Sequence, residues 1–201
     1  MRKKSGKIIE ILAWSLTGVT LAGALCYYNF VDKPVVSGVE IGNVSPDFTV
    51  QTYKVEDGAF KTGGEEFTLS EHTGKVIVVN FWATWCGSCI AELPEFDEIQ
   101  RDYAEDVEVL VLNGKGDESM SMEEIAAFMN DNYQTEGWEK FTFTFGRFES
   151  KTNDVYTTLG FTSNALPGTM IINRQGKIIY RDNGALSYDE LKELIEPLLK
   201  F

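Results

Sequence analysis

Histidine, cysteine and positive charge are scarce in this 201-residue chain. It has one His, three Cys, and 18 Lys and Arg against 31 Asp and Glu, a formal net charge of −13. Each scarcity excludes something. A surface this poor in basic residues is not built for nucleic acid, whose phosphates need Lys and Arg; the acidic excess reads as solubility. A structural zinc site needs four ligands, usually two CxxC pairs or one pair plus two histidines, and that set cannot be assembled. A secreted scaffold stapled by disulfides would carry a dense, even set of cysteines, which is also lacking. Low-complexity tracts and internal repeats are absent as well.

Long apolar runs are confined to the start. From Ile8 to Phe30 only Glu10 is charged, behind a basic head of Arg2, Lys3, Lys4 and Lys7. A spanning helix needs roughly 20 apolar residues, and the basic head predicts a cytoplasmic N-terminus. A cleaved signal peptide is the rival reading. Its apolar core would be shorter, about 7–15 residues, and would end in a small-x-small site. Cys26 follows Leu25, where lipoprotein processing usually wants a small residue, so Cys26 reads as a small apolar residue facing lipid or a helix. The expected organisation is a head and transmembrane anchor over 1–33, a linker over 34–41 and one domain over 42–201, outside the membrane.

Within that domain the pattern alternates. Phe48–Tyr53 and Glu66–Leu69 read as short extended segments, with Ser70 able to cap a short turn. VIVVNFW, Val76–Trp82, reads as a buried strand. From Cys86 the apolar spacing becomes three and four (Ile90, Leu93, Phe96, Ile99), predicting a helix to about Tyr103, with Pro94 inside it. Val107–Leu112 is a second buried strand, and Ser121 opens a helix to about Tyr133. FTFTF, Phe141–Phe145, alternates as a strand, and Asn153–Leu159 reads as a short helix. Thr169–Asn173 and Lys177–Arg181 flank the turn Asn173–Gly176 as a hairpin. Ser187 caps a last helix over Tyr188–Leu199. The fold class is α/β, with a mixed sheet flanked by helices.

The chemistry concentrates in FWATWCGSC, Phe81–Cys89. A disulfide between residues three apart closes a tiny loop and stabilises little, so a structural role is a poor account of the pair. The pair lies where a central strand meets its helix, the end at which open α/β sheets hold their sites. A helix starting there aims free N–H groups and about half a positive charge at the first sulfur, favouring thiolate. Cys86 is the expected nucleophile and Cys89 the resolving thiol. His72 sits on the loop before the strand and reads as a solvated or hydrogen-bonded residue.

KVIVVNFWATWCGSC resembles the active-site strand and helix start of the thioredoxin superfamily. GNVSPDF near the domain start and WCGSCIAELP, matching WCxxCxxExP, resemble its membrane-anchored, extracytoplasmic TlpA/ResA/DsbE group. The extra segment between Val107–Leu112 and the hairpin matches that group's insertion. The resemblance implies a thiol–disulfide oxidoreductase with Cys86 and Cys89 as its redox disulfide and catalytic pair, and Glu92 as the motif's acidic residue, which takes over the catalytic proton work. It also implies a cis bond at Pro167, and a substrate surface of Trp85, Leu166 and Pro167. No cofactor or metal is called for. The implied partners are protein disulfides and dithiols, apocytochrome cysteines among them, and an electron donor in the bacterial membrane. Departures are Asn80 where thioredoxin has Asp, Gly87–Ser88 for Gly-Pro, and Gly168 where Thr is common. Reduction of exported clients is the expected direction. A disulfide-forming oxidant and an idle binding module are the alternatives. A peroxidase-like thiol enzyme would need Thr where Ala83 stands.

Overall fold

The computed structural model describes residues 37–201 apart from 58, 115–117, 137–140, 149–153, 162–164 and 201, and the side chains of 133–136. The expected anchor and basic head lie outside the described residues. Among the described residues no helix is long and apolar enough to cross a membrane.

The strands are β1 Thr49–Thr52, β2 Lys54–Glu56, β3 Ala59–Lys61, β4 Glu66–Thr68, β5 Val76–Trp82, β6 Val107–Asn113, β7 Thr144–Arg147, β8 Gly168–Ile172 and β9 Ile178–Asn183. The α-helices are α1 Gly87–Asp102, α2 Met122–Glu136, α3 Val155–Thr158 and α4 Tyr188–Ile195. Seven strands form one sheet in the order β4-β1-β7-β6-β5-β8-β9. β5, β6 and β7 run parallel, and β8 pairs antiparallel with both β5 and β9. The sheet is therefore mixed, with the thioredoxin-like arrangement expected.

Every residue of β5 from Val76 to Trp82 is buried, which is why its sequence is apolar at every position but Asn80. Val76, Val78 and Trp82 face Leu93, Phe96 and Ile99 of α1, with Ile125 and Met129 of α2 and Leu191 and Ile195 of α4 in the same core. Ile77, Val79 and Phe81 share the opposite core with Leu110, Leu112, Met170 and Tyr156. Period-two alternation along a strand covered on both faces gives two cores from one run.

The lead-in segment pairs along the hairpin rather than hanging free. Gly42 N–H donates to the Ile178 carbonyl, Ile178 N–H to Asn43, and Ser45 N–H to Gly176. Residues 37–41 also carry contacts: Gly38 N–H donates to Val44, and the Val39 carbonyl accepts from Arg181.

Three elements differ from the sequence expectation. The FTFTF strand starts late, at Thr144. Phe141, Phe143 and Phe145 are all buried, so the alternation is real. The Thr142 N–H and hydroxyl, however, go to the Asp97 carboxylate and not to a neighbouring strand. The last α-helix stops at Ile195 and a 3-10 turn continues over Glu196–Lys200. Pro197 has no N–H and crowds the carbonyl four residues back. Finally, the β2–β3 hairpin was not expected. β2 is wholly exposed and carries no alternation. Its partner is held from outside: Asn130 of α2 accepts from Phe60 N–H at 2.9 Å and donates to the Phe60 carbonyl at 3.0 Å.

Candidate functional site

The chain leaves β5 at Trp82 and turns through Ala83–Trp85, where Cys86 N–H donates to the Ala83 carbonyl at 3.0 Å. Cys86 has extended backbone and forms the N-cap of α1. Its sulfur accepts from Cys89 N–H at 3.3 Å and lies 3.5 Å from the Ser88 hydroxyl. A sulfur in the N-cap position occupies the place where a helix end satisfies an anion. Cys86 and Cys89 form a disulfide.

Burial separates the two sulfurs less than the sequence suggested. Cys89 is fully buried, and Cys86 is only 6% exposed. The exposed members of the motif are Gly87, Ser88 and Trp85, the last at 51%. Leu166–Pro167 is a cis peptide bond. Because Gly168 pairs with Phe81, Pro167 stands at the same sheet end as Trp82 and the cysteines. Leu166 packs against the core cluster that contains both cysteines.

Glu92 follows Cys89 by three residues on α1 and is 3% exposed, so it is not a solvated residue of the helix surface. Its Oε1 accepts from Asn80 Nδ2 at 2.8 Å, and its Oε2 from Leu186 N–H at 3.0 Å. Burial pushes the carboxyl up to about 7, against the two donors, which pull it down. A carboxyl poised there exchanges a proton readily at neutral pH. On its outer side a cleft lined by Ser88, Glu95, Ala185, Ser187 and Glu190 connects the Glu92 neighbourhood with solvent.

The structure brings Trp85, Cys86, Cys89, Glu92, Leu166 and Pro167 to one region, where the sequence placed the CxxC pair and the resemblance set Pro167 against it. Sequence reasoning missed two supports. Asn80, noted only as a departure, is buried and donates to both Glu92 and the Thr169 hydroxyl, the latter at 3.3 Å. A polar residue in the middle of VIVVNFW was the available signal. The Leu186 backbone donor left no signal, since any residue supplies an N–H. His72 is placed far from the cysteines in its contacts: it stacks on Phe67 and pairs with Glu108 at 2.7 Å.

The Redoxin family model matches residues 40–195. The chain belongs to the Redoxin family. Its curated relatives include the thiol-disulfide oxidoreductase ResA of Geobacillus kaustophilus, 26% identical over 98% of each chain. The thioredoxin-like protein YneN of Bacillus subtilis is 28% identical, again over 98% of each. Among solved structures, a thiol:disulfide interchange protein DsbE of Chlorobium tepidum superposes with a TM-score of 0.57 at 23% identity, covering 81% of this chain and 99% of that one. An exposed lipoprotein thioredoxin of Streptococcus pneumoniae gives 0.57 at 24%, covering 76% and 100%. The structural likenesses establish the thioredoxin-like fold. Family and full-length relatives make this Redoxin-family chain a thiol–disulfide oxidoreductase of the ResA type, with Cys86–Cys89 as its CxxC pair.

Proposed function

We propose that this Redoxin-family chain is a membrane-tethered reductant of disulfides in exported proteins, with Ile8–Phe30 as its anchor. The observation that carries the mechanism is the Cys86 sulfur at the N-cap of α1 with Cys89 beneath it and a buried Glu92 one turn on. In the reduced enzyme the Cys86 thiolate attacks a client sulfur. The client disulfide breaks, and its second sulfur leaves and takes up a proton. Cys89 then gives its proton to Glu92 and attacks the Cys86 sulfur, which releases the client's first sulfur as a thiolate that takes up a proton from solvent. Two electrons pass from the dithiol to the client, and the Cys86–Cys89 disulfide remains. Glu92 returns its proton to solvent through the cleft beside Glu95 and Glu190. Trp85, Leu166 and Pro167 form the surface that receives the client.

The direction follows from charge. An ionised Glu92 disfavours thiolate at both cysteines, and a less stable reduced form makes a stronger reductant. The reference range runs from about −120 mV for a strong oxidant to about −270 mV for thioredoxin. The full chain equilibrated with dithiothreitol buffers should lie nearer the reducing end. A value near −120 mV would assign it disulfide formation instead. The electron donor that recharges the disulfide is expected in the membrane.

A further inference from the structure

A carboxylate outside every motif converges on the active-site turn. β5 loses its ladder partners after Phe81 and Trp82, which pair with Gly168 and Asn113. Thr84 lies beyond that point, so its N–H needs another acceptor. Glu118, from the segment between β6 and α2, supplies it: Oε2 accepts from Thr84 N–H and from the Thr84 hydroxyl, both at 2.9 Å. The same oxygen accepts from Asn113 Nδ2 at 3.2 Å, while Oε1 accepts from Met120 N–H at 3.2 Å. Asn113 is fully buried at the end of β6, and its Oδ1 takes Arg147 of β7 at 3.3 Å. Gly114 permits the sharp exit from β6: its φ is +137°, and a Cβ there would lie 2.1 Å from the Phe148 carbonyl oxygen. One carboxylate thus ties the turn after β5 to the ends of β6 and β7. Burial alone would raise its pKa, but the donors from Thr84, Asn113 and Met120 outweigh it and hold the carboxyl below the usual range.

Trp85 explains why such a tie matters. Half exposed, it gains little orientation from packing, so the backbone turn beneath it must set its direction. That turn has two described anchors, Cys86 N–H to Ala83 and the Thr84 donors to Glu118. We infer that Glu118 is a positioning residue for protein substrates: by clamping Thr84 it holds Trp85 and the Cys86 sulfur in the arrangement a docked client requires. This rests on the reading of Cys86 as the attacking thiol and Trp85 as part of the docking surface. A small, freely diffusing disulfide needs the sulfur but not the surface.

The experiment compares full-length reduced variants toward two probes, insulin as a protein disulfide and DTNB as a small one. Wild type must first reduce insulin faster than Cys86→Ser. If it does not, the oxidoreductase reading of the pair fails, independently of Glu118. Given that activity, Glu118→Ala should slow insulin reduction about ten-fold and DTNB less than about three-fold, because misplacement is felt where orientation is required. Thr84→Val, which removes only the hydroxyl donor, should show the same selectivity at about three-fold, and Thr84→Ser should restore the wild-type rate. The double variant should be no slower than Glu118→Ala alone, since both remove one linkage. Equal losses toward both probes, additive losses, or rates within about two-fold of wild type overturn the inference. Should Glu118→Ala fail to fold, the Val–Ser contrast at Thr84 decides: a selective loss that Ser restores supports it, and no difference overturns it.

Discussion

Asn80 Nδ2 donates to Glu92 Oε1 at 2.8 Å, joining the middle of β5 to the second turn of α1 beneath the disulfide. The bond holds a carboxyl that is only 3% exposed, and fixes which oxygen faces the strand. Where thioredoxin carries an ionisable side chain on this strand, here the strand residue is the donor and the helix residue is the acid.

Glu92 makes stability pH-dependent with a definite sign. Its folded pKa of about 7 lies above the ordinary carboxyl value. Between the two, the native state holds a proton that the unfolded chain has lost. The contribution is full below the unfolded pKa and is lost as pH rises through about 7. The loss is on the order of 3 kcal/mol. Denaturant unfolding of the oxidised protein at pH 5 and pH 8 should show wild type weakening over that interval, and Glu92→Gln weakening much less. Identical pH slopes for the two proteins would contradict the assignment.

Turnover should report the same group. Gln at position 92 still accepts from Asn80 but sets an NH2 against the Leu186 N–H, so the fold survives with one bond lost. It cannot take a proton. Glu92→Gln should slow disulfide reduction about 100-fold and lower the thiol pKa values by removing a negative charge. Stopped-flow rates and thiolate absorbance against pH measure both. Unchanged rate and unchanged titration would return Glu92 to a structural role.

The order of attack is testable by trapping. Cys86 is 6% exposed and Cys89 is fully buried, so a client sulfur reaches Cys86. Cys89→Ser should accumulate a mixed disulfide through Cys86, visible on non-reducing gels and mapped by mass spectrometry. Cys86→Ser should accumulate none. Adducts mapped to Cys89 would reverse the assignment.

Asp97 separates stability from chemistry. Its fully buried carboxylate pairs with Arg101 and accepts from Thr142 N–H and hydroxyl, fastening the segment before β7 to α1. Asp97→Ala leaves those donors without their acceptor and should cost about 3 kcal/mol, read as a lower denaturant midpoint. The reduction potential should stay within about 15 mV of wild type, half the interval that changes the equilibrium ten-fold. A large shift in potential would tie Asp97 to the redox site.

Anchoring is settled by mass. If Ile8–Phe30 is an uncleaved anchor, protein extracted from membranes carries the full chain. A mature species beginning after residue 20 would exclude it.

Much of this architecture was written locally. β5 and β6 read directly because a strand buried on both faces must be apolar at nearly every position, and α1 because its apolar stripe recurs at the helical period. WCGSC between them announced both the chemistry and the sheet end that holds it. Tertiary structure decided what depends on partners distant in the chain. FTFTF alternates over its whole length, yet its ladder starts at Thr144 because Asp97, 45 residues away, claims Thr142. β2 and β3 form a hairpin that Asn130, 70 residues from Phe60, holds in place. Glu92 was marked in sequence by its place in WCxxCxxExP, but how far its pKa rises is set by burial beside Asn80 and Leu186. Glu118 was unremarkable until the fold brought it to Thr84. Periodicity records which face a residue turns to the core; a carboxylate's partners and pKa are set by three-dimensional neighbours, and no spacing along the chain encodes them.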